Sequence, residues 1–331
     1  VKLDMSKAYD KVEWDFLEKM MYQLGFGERW IKLVMLCIST VSYKFKVNGE
    51  CTDVVVPQRG LRQGDPLSPY LFLIVAEGFS SLLNRAEREG RLNGIRICNG
   101  APSLNHLLFA DDCLVLMKAS RESAIHLQNV LNLSELCSGQ IVNYDKSSVM
   151  FSKNMGAVQK QQVLAELHIG NVTRSERYLG LPVYVGRNRT KIFEYLKDRM
   201  WNRIQGWLER LMLKAAKDVL IKACAQAIPT FAMSCFDITK TFCDQMGEMI
   251  CRFWWAKQEK TKTMHWLSWE LMTQPKKTSS LGFRDLHGFN LAMLAKQAWR
   301  ILTEPESLCA RVLKARYFPN TSILEAQANQ G

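Results

Sequence analysis

The alternation of apolar and polar positions divides the chain into a mixed first half and a helical second half. Lys2 to Met5 reads as a short strand, followed by a helix from about Asp15 to Leu24 closed by Gly25, and a second from Glu28 to about Ile38. Tyr43, Phe45 and Val47 then alternate with Ser42, Lys44 and Lys46 up to Asn48-Gly49, and Cys51 to Val56 returns. This predicts a hairpin over Val41 to Val56, because Asn-Gly suits a two-residue turn with both φ angles positive. Ser68 as N-cap and Pro69 at the first helical position open a helix expected to run to about Glu89 and stop at Gly90. Leu107 to Met117 holds two short apolar runs separated by Asp111-Asp112, a hairpin with two carboxylates at its tip. A helix from Arg121 to about Cys137, capped by Ser120, precedes an expected strand over Ile141 to Phe151.

Beyond Tyr178 the period changes to 3.6. Ile192, Leu196, Met200, Ile204, Trp207 and Leu211 mark one helix face, while Lys191, Arg199, Arg203 and Arg210 fall largely elsewhere. Further helices are expected over about Ala215 to Ala227, Phe242 to Trp255 and Phe289 to Leu302. Antiparallel hairpins at irregular spacing argue for an α+β first half rather than a doubly wound parallel sheet. The boundary is expected within 154–189.

Composition adds bounds to this picture. At 331 residues, 47% of them hydrophobic and 23% charged, the chain has room for about two domains with full-sized cores. The apolar stretch at Tyr70 to Ala76 falls far short of the roughly eighteen residues a membrane span needs, and the N-terminus lacks signal-peptide shape, so a soluble, non-secreted protein with no membrane partner is expected. Ten cysteines without a CxxC pair read as reduced and mostly buried thiols. The opening VKLD looks like the middle of a strand, which suggests a fragment. The net charge of +12 is segregated: residues 1–150 carry 17 basic and 17 acidic side chains, residues 151–331 carry 27 and 15. Seven of the nine tryptophans lie in the basic half, so phosphate-binding cations and base-stacking aromatics occur together, and nucleic acid is the natural partner.

The chemistry centres on Asp4 at a strand end and Asp111-Asp112 at a hairpin tip. Hard oxygen ligands of this kind suit Mg²⁺, and a pair of such ions can activate a hydroxyl and neutralise departing pyrophosphate. Taken alone, an Asp-Asp turn reads as a local structural device, because aspartate is favoured in turns for its own hydrogen bonding. The five histidines, His106 and His265 among them, show no ligand spacing.

Five ordered segments sharpen the reading: LDMSKAYD at 3–10, RGLRQGDPLSPYLF at 59–72, LLFADD at 107–112, GQIVNYDKS at 139–147 and YLGLP at 178–182. They resemble palm motifs A to E of reverse transcriptases, and FADD with SKAYD and RQGDPLSP is similar to non-LTR (LINE-type) retrotransposons. LKDRMWNRIQGWLERL, FWWAKQ and LGFRDLHGFNLAMLAKQAWRIL look like the region after the polymerase core in plant LINE-type elements. The resemblance implies a palm of antiparallel sheet and packed helices over 1–153 with the fingers upstream, a palm-thumb junction over 154–189, and a helical basic thumb and post-thumb region over 190–331. It implies an RNA-directed DNA polymerase acting on RNA template, DNA primer and dNTPs with two Mg²⁺ ions, or Mn²⁺, in an intracellular setting, nuclear or cytoplasmic.

Site residues follow from the same resemblance. Asp4, Asp111 and Asp112 would hold metal, and Lys146 would protonate pyrophosphate. Tyr9 would be the steric gate against a ribose 2′-hydroxyl, and Asp10 would cap the following turn. Gln63 and Gly64, with Arg62, would meet the incoming nucleotide and template. Tyr178, Leu179, Gly180, Leu181 and Pro182 would form the primer grip. Arg199, Arg203 and Arg210 would track nucleic-acid backbone. LMLKAAKDVL and KKTSSLGF depart from the family pattern, so a remnant that only binds nucleic acid stays open beside the polymerase. A group II intron-type maturase shares the core, but FADD and the helical C-terminal segments fit it less well.

Overall fold

The computed structural model describes residues 1–173, 177–183, 185–186, 189–209, 212–256, 264–278 and 280–326, the side chains of 189 and 190 excepted. The chain divides into two compact units, Val1–Arg174 and Ser175–Gly331.

The first unit is α+β. Its three-stranded antiparallel sheet has the order β1 (Lys2–Leu3), β5 (Asp112–Val115), β4 (His106–Phe109), so the strand nearest the chain start pairs with one made over a hundred residues later. The register is Lys2 against Leu114, Leu3 against Cys113, and Phe109 against Asp112. Leu3, Cys113 and Val115 are buried, which fixes the core face, because side chains alternate along a strand. Helices α1 (Trp14–Gln23) and α2 (Glu28–Ser39) follow β1, and β2 (Lys46–Val47) with β3 (Glu50–Cys51) makes the expected hairpin, Asn48 and Gly49 both having positive φ. That hairpin is shorter and more exposed than its alternation suggests, with Phe45, Val47 and Val54 to Val56 open to solvent.

Helix α3 (Ser68–Arg88) is the spine of this unit. Its N-terminal Leu71, Phe72 and Val75 pack with Val12, Leu17, Met21 and Ile31 of the α1–α2 region, and its C-terminal Phe79 and Leu83 pack under the sheet with Leu127, Leu131, Val163 and Leu167. Ser68 is not its N-cap: that position is Leu67, whose backbone N–H donates to Asp65 Oδ1 at 2.7 Å, while Ser68 is buried inside the first turn. Helix α4 (Arg121–Ser138) matches expectation at both ends, with Ser120 Oγ accepting from the Ser123 N–H and Gly139 left-handed at φ 75°. Helix α5 (Ala157–Leu167), which the sequence pattern did not reveal, packs on α4 through Val163 and Leu167.

Two expectations are corrected here. Ile141 to Phe151 is no continuous strand: isolated bridges Met5–Val142 and Lys2–Ser148 flank a turn in which the Ser147 N–H donates to Asn143 C=O. All ten cysteines are free, but only Cys113, Cys243 and Cys251 are buried, while six are exposed because they lie on helix and strand faces turned from either core.

The second unit holds a short hairpin, β6 (Arg177–Tyr178) and β7 (Leu181–Pro182), then helices α6 (Arg189–Leu208), α7 (Lys214–Ala223), α8 (Thr230–Cys235), α9 (Lys240–Trp255), α10 (Trp269–Met272), α11 (Leu286–Thr303) and α12 (Leu308–Tyr317). Phe193, Leu196, Met200 and Ile204 form the inner stripe of α6 against Phe242, Met246, Ile250 and Phe253 of α9. Asn290, fully buried, ties α8 to α11: its Nδ2 donates to Met233 and Phe236 C=O and its Oδ1 accepts from the Ile238 N–H. Among the described residues, no helix is long and apolar enough to cross a membrane.

Candidate active site

Sheet register builds the carboxylate end of the first unit. Asp4 is the first residue past β1, and continuing the register sets it beside Asp112 on β5, with Asp111 in the turn that joins β4 to β5. Since Leu3 and Cys113 face the core, Asp4 and Asp112 fall on the opposite face. The turn itself is tight: Ala110 adopts φ 49°, a left-handed conformation uncommon for a residue with a Cβ.

Asp4 is clasped by its backbone. Its N–H donates to Ser147 Oγ at 3.2 Å and its C=O accepts from the Asn143 N–H at 2.8 Å, while the fully buried Ser147 Oγ donates to Asn143 C=O at 2.7 Å. The 143–147 turn that interrupts the expected strand is therefore the mount for Asp4. Lys146 sits on that turn with its N–H bonded to Asn143 Oδ1 and its side chain exposed.

A second junction holds the loop after Asp4 against the 60–65 loop. The Leu61 N–H donates to Tyr9 C=O at 2.7 Å, the Gly60 N–H to Val12 C=O at 2.8 Å, and Trp14 Nε1 to Gly60 C=O at 2.8 Å. Tyr9 is half-buried and stacks on Phe72 of α3, ring centroids 4.8 Å apart. Asp10 closes a turn through its own N–H onto Lys7 C=O rather than through its carboxylate. On the far side, Gln140 Nε2 donates to Ala8 C=O at 2.7 Å, and Gly139 lies against Lys11 C=O too closely to admit a Cβ. Gln63, Gly64 and Arg62 are exposed; Gln63 and Arg62 line a cleft of about 400 Å³ with Tyr43, Phe45 and Trp14, and the Arg62 guanidinium lies 5.8 Å from the Tyr43 ring centre.

Behind the carboxylate hairpin lies a polar network. His106, the first residue of β4, meets Asn105 Oδ1 through Nδ1 at 2.5 Å and Ser80 Oγ of α3 through Nε2 at 3.0 Å. Asn105 Nδ2 donates to Asn84 Oδ1 and Glu87 Oε2, which leaves its Oδ1 as acceptor and puts the imidazole proton on Nδ1. Burial holds the His106 pKa below its usual value, against the opposing pull of Glu77 and Glu87.

The remaining expected residues lie in the second unit. Leu179 and Gly180, with φ 51° and 77°, make the two-residue turn between β6 and β7, and Arg177 anchors that hairpin by lying 4.0 Å from the Tyr195 ring centre on α6. Arg199 and Arg203 are exposed on α6, and Arg210 lies outside the described residues. Lysines of α7 behave differently: the buried Lys217 donates to Phe253 and Ala256 C=O, Lys214 to Trp254 C=O, and Lys222 to Leu281 C=O, so these cations satisfy the carbonyls at the end of α9 and the 281 turn. The sequence reading missed Gly60, Gly139, Gln140, Ser147 and the His106 network. Only the glycines carried a signal, as punctuation beside motif residues.

Asp4, Asp111 and Asp112 offer the all-oxygen, anionic donor set that Mg²⁺ or Mn²⁺ prefers. They share one end of the sheet, though among the described residues no three His, Cys, Asp or Glu side chains are drawn together closely enough to form a finished metal-binding group.

This mixed fold, with paired aspartates on a hairpin beside a strand-end aspartate, belongs to the polymerase palm class. The reverse transcriptase (RNA-dependent DNA polymerase) family matches residues 1–183, and the chain belongs to that family. An uncharacterized mitochondrial protein of Arabidopsis thaliana is 41% identical over 100 residues, 30% of this chain and 65% of that protein. A Pol polyprotein from the type-1 retrotransposable element R2 of Popillia japonica is 29% identical over 197 residues, 59% of this chain and 25% of its own length. The transposon TX1 uncharacterized 149 kDa protein of Xenopus laevis is 21% identical over 310 residues, 89% of this chain and 22% of that protein. The chain thus spans under two thirds of each of these relatives.

Proposed function

We propose that the chain is a polymerase core that extends a DNA primer on an RNA template by attack of the primer 3′-hydroxyl on the α-phosphate of a dNTP, with release of pyrophosphate. The observation that carries this reading is the register of β1, β5 and β4, which brings three aspartates to one sheet end. Asp4 and Asp111 would be the principal holders of two Mg²⁺ ions, with Asp112 beside them. Bound there, the ions would make the hydroxyl more acidic and balance the charge on the leaving pyrophosphate.

The chain's own residues do the rest. Lys146, on the turn that clasps Asp4, hands a proton to pyrophosphate. Tyr9, held between Phe72 and the 60–65 loop, fills the space a 2′-hydroxyl would need, and Gln63, Gly64 and Arg62 line the path of nucleotide and template. In the second unit, Tyr178 to Pro182 hold the primer end, and Arg199, Arg203 and Arg210 follow the backbone. This assigns the palm to 1–153, a junction to 154–189 and a thumb with its continuation to 190–331.

Primer extension on an RNA template with Mg²⁺ and dNTPs tests the proposal. Extension by the parent chain that vanishes in Asp111→Asn with Asp112→Asn supports it. Extension in neither, with RNA binding kept, leaves a nucleic-acid-binding remnant.

A further inference from the structure

We propose that α11 and α12 form a binding surface for single-stranded RNA, outside the residues that match the reverse transcriptase family. The inference deepens the nucleic-acid partner of the proposed function and rests on it. The second unit is basic, but its cations are not equivalent. Lys214, Lys217 and Lys222 are spent on backbone carbonyls, and Lys197 bonds Gln245 Oε1 at 3.0 Å.

On α11 and α12 the opposite holds. Neither helix contains an acidic residue. Lys296, Arg311 and Lys314 are exposed and make no ion pair among the described residues, while Arg300 pairs only with Glu304 beyond the helix end, at 3.3 Å. Each helix also exposes one large aromatic among its cations: Trp299 is 66% exposed beside Lys296 and Arg300, and Tyr317 is 61% exposed in line with Arg311 and Lys314 at three-residue steps. On this surface cations without ion pairs among the described residues and aromatic rings open to solvent lie side by side. The combination fits a polyanion whose bases are free to stack, which is a single strand rather than a duplex.

The test is fluorescence anisotropy of a labelled 20-nucleotide oligouridylate with the whole chain across a salt series. Lys296→Gln with Arg311→Gln and Lys314→Gln should flatten the log K against log salt slope by about 2, at roughly 0.7 per single-strand phosphate contact. Trp299→Ala or Tyr317→Ala should weaken binding about 5- to 150-fold with the slope unchanged, and Trp299→Phe should keep most of the parent's affinity. A general loss of folding would not separate slope from affinity in this way. If the triple variant and both aromatic variants bind as the parent does while the parent extends primers, this surface is wrong and the polymerase reading stands. Equal affinity for duplex RNA, untouched by the aromatic changes, overturns the stacking role; absence of RNA binding by the parent overturns both proposals.

Discussion

Single residues set the tolerances around the aspartates. Gly60, at φ 89°, would put a Cβ 2.7 Å from Asp10 C=O, so Gly60→Ala must push apart the two loops that hold Tyr9. We expect a loss of about 1–3 kcal/mol in urea unfolding, the range for a strained backbone position. Leu179 is the reverse case: a leucine at φ 51° where Asn would sit without strain, so Leu179→Asn should raise stability by about 0.5–1 kcal/mol in the same measurement. His106 adds a pH dependence. Because its folded pKa lies below the usual value, the unfolded chain takes up the proton first as pH falls, so the contribution is complete above about 6.5 and is lost progressively below it. His106→Gln should remove that component from the unfolding midpoint measured between pH 7.5 and 5.

At the level of elements, punctuation was legible and interruption was not. The 106–115 hairpin, the Ser120 cap, Gly139 and the Asn48-Gly49 turn follow from local chemistry, so they could be read directly. Ile141 to Phe151 has the apolar content of a strand, yet its middle turns out to clasp Asp4, a demand set by a residue some 140 positions away. Helix α5 shows little periodic contrast, and α3 begins one residue earlier than its Ser-Pro signal, with Leu67 at the N-cap position and its N–H held by Asp65 Oδ1. For the candidate site, the resemblance of the ordered motifs pointed to the aspartates, but what holds the Asp4 backbone is made of long-range hydrogen bonds with no local pattern. The same holds for Lys217, whose part in closing the end of α9 has no local signal in the sequence. Lys217→Ala should destabilise the second unit by about 1–3 kcal/mol through its two orphaned carbonyls, seen in urea unfolding followed by tryptophan fluorescence.

Over the whole molecule, charge and thiols divide between inside and outside in ways composition conceals. Burial pushes the thiols of Cys113 and Cys243 up to about 12, and Cys251 is also raised, so these three should resist alkylation while the fold holds. Titration with Ellman's reagent at pH 8 should count the six exposed cysteines at once and the buried ones only after denaturation. Early labelling of Cys113 would mean that the sheet carrying Asp112 opens in solution.

The pairing of β1 also carries a cost in time. Among the described residues the backbone partners of Lys2 to Ser6 lie between residues 113 and 148, so until those are made the strand has only side-chain packing, such as Leu3 with Phe79 and Leu83, to hold it. At about 5–20 residues per second of synthesis, the Asp4 segment waits on the order of five to thirty seconds for the strand and turn that seat it. During that wait the backbone groups of 2–6 lack the partners they have in the folded unit, so the yield of assembled protein should depend on translation speed between these two stretches more than on speed after residue 148.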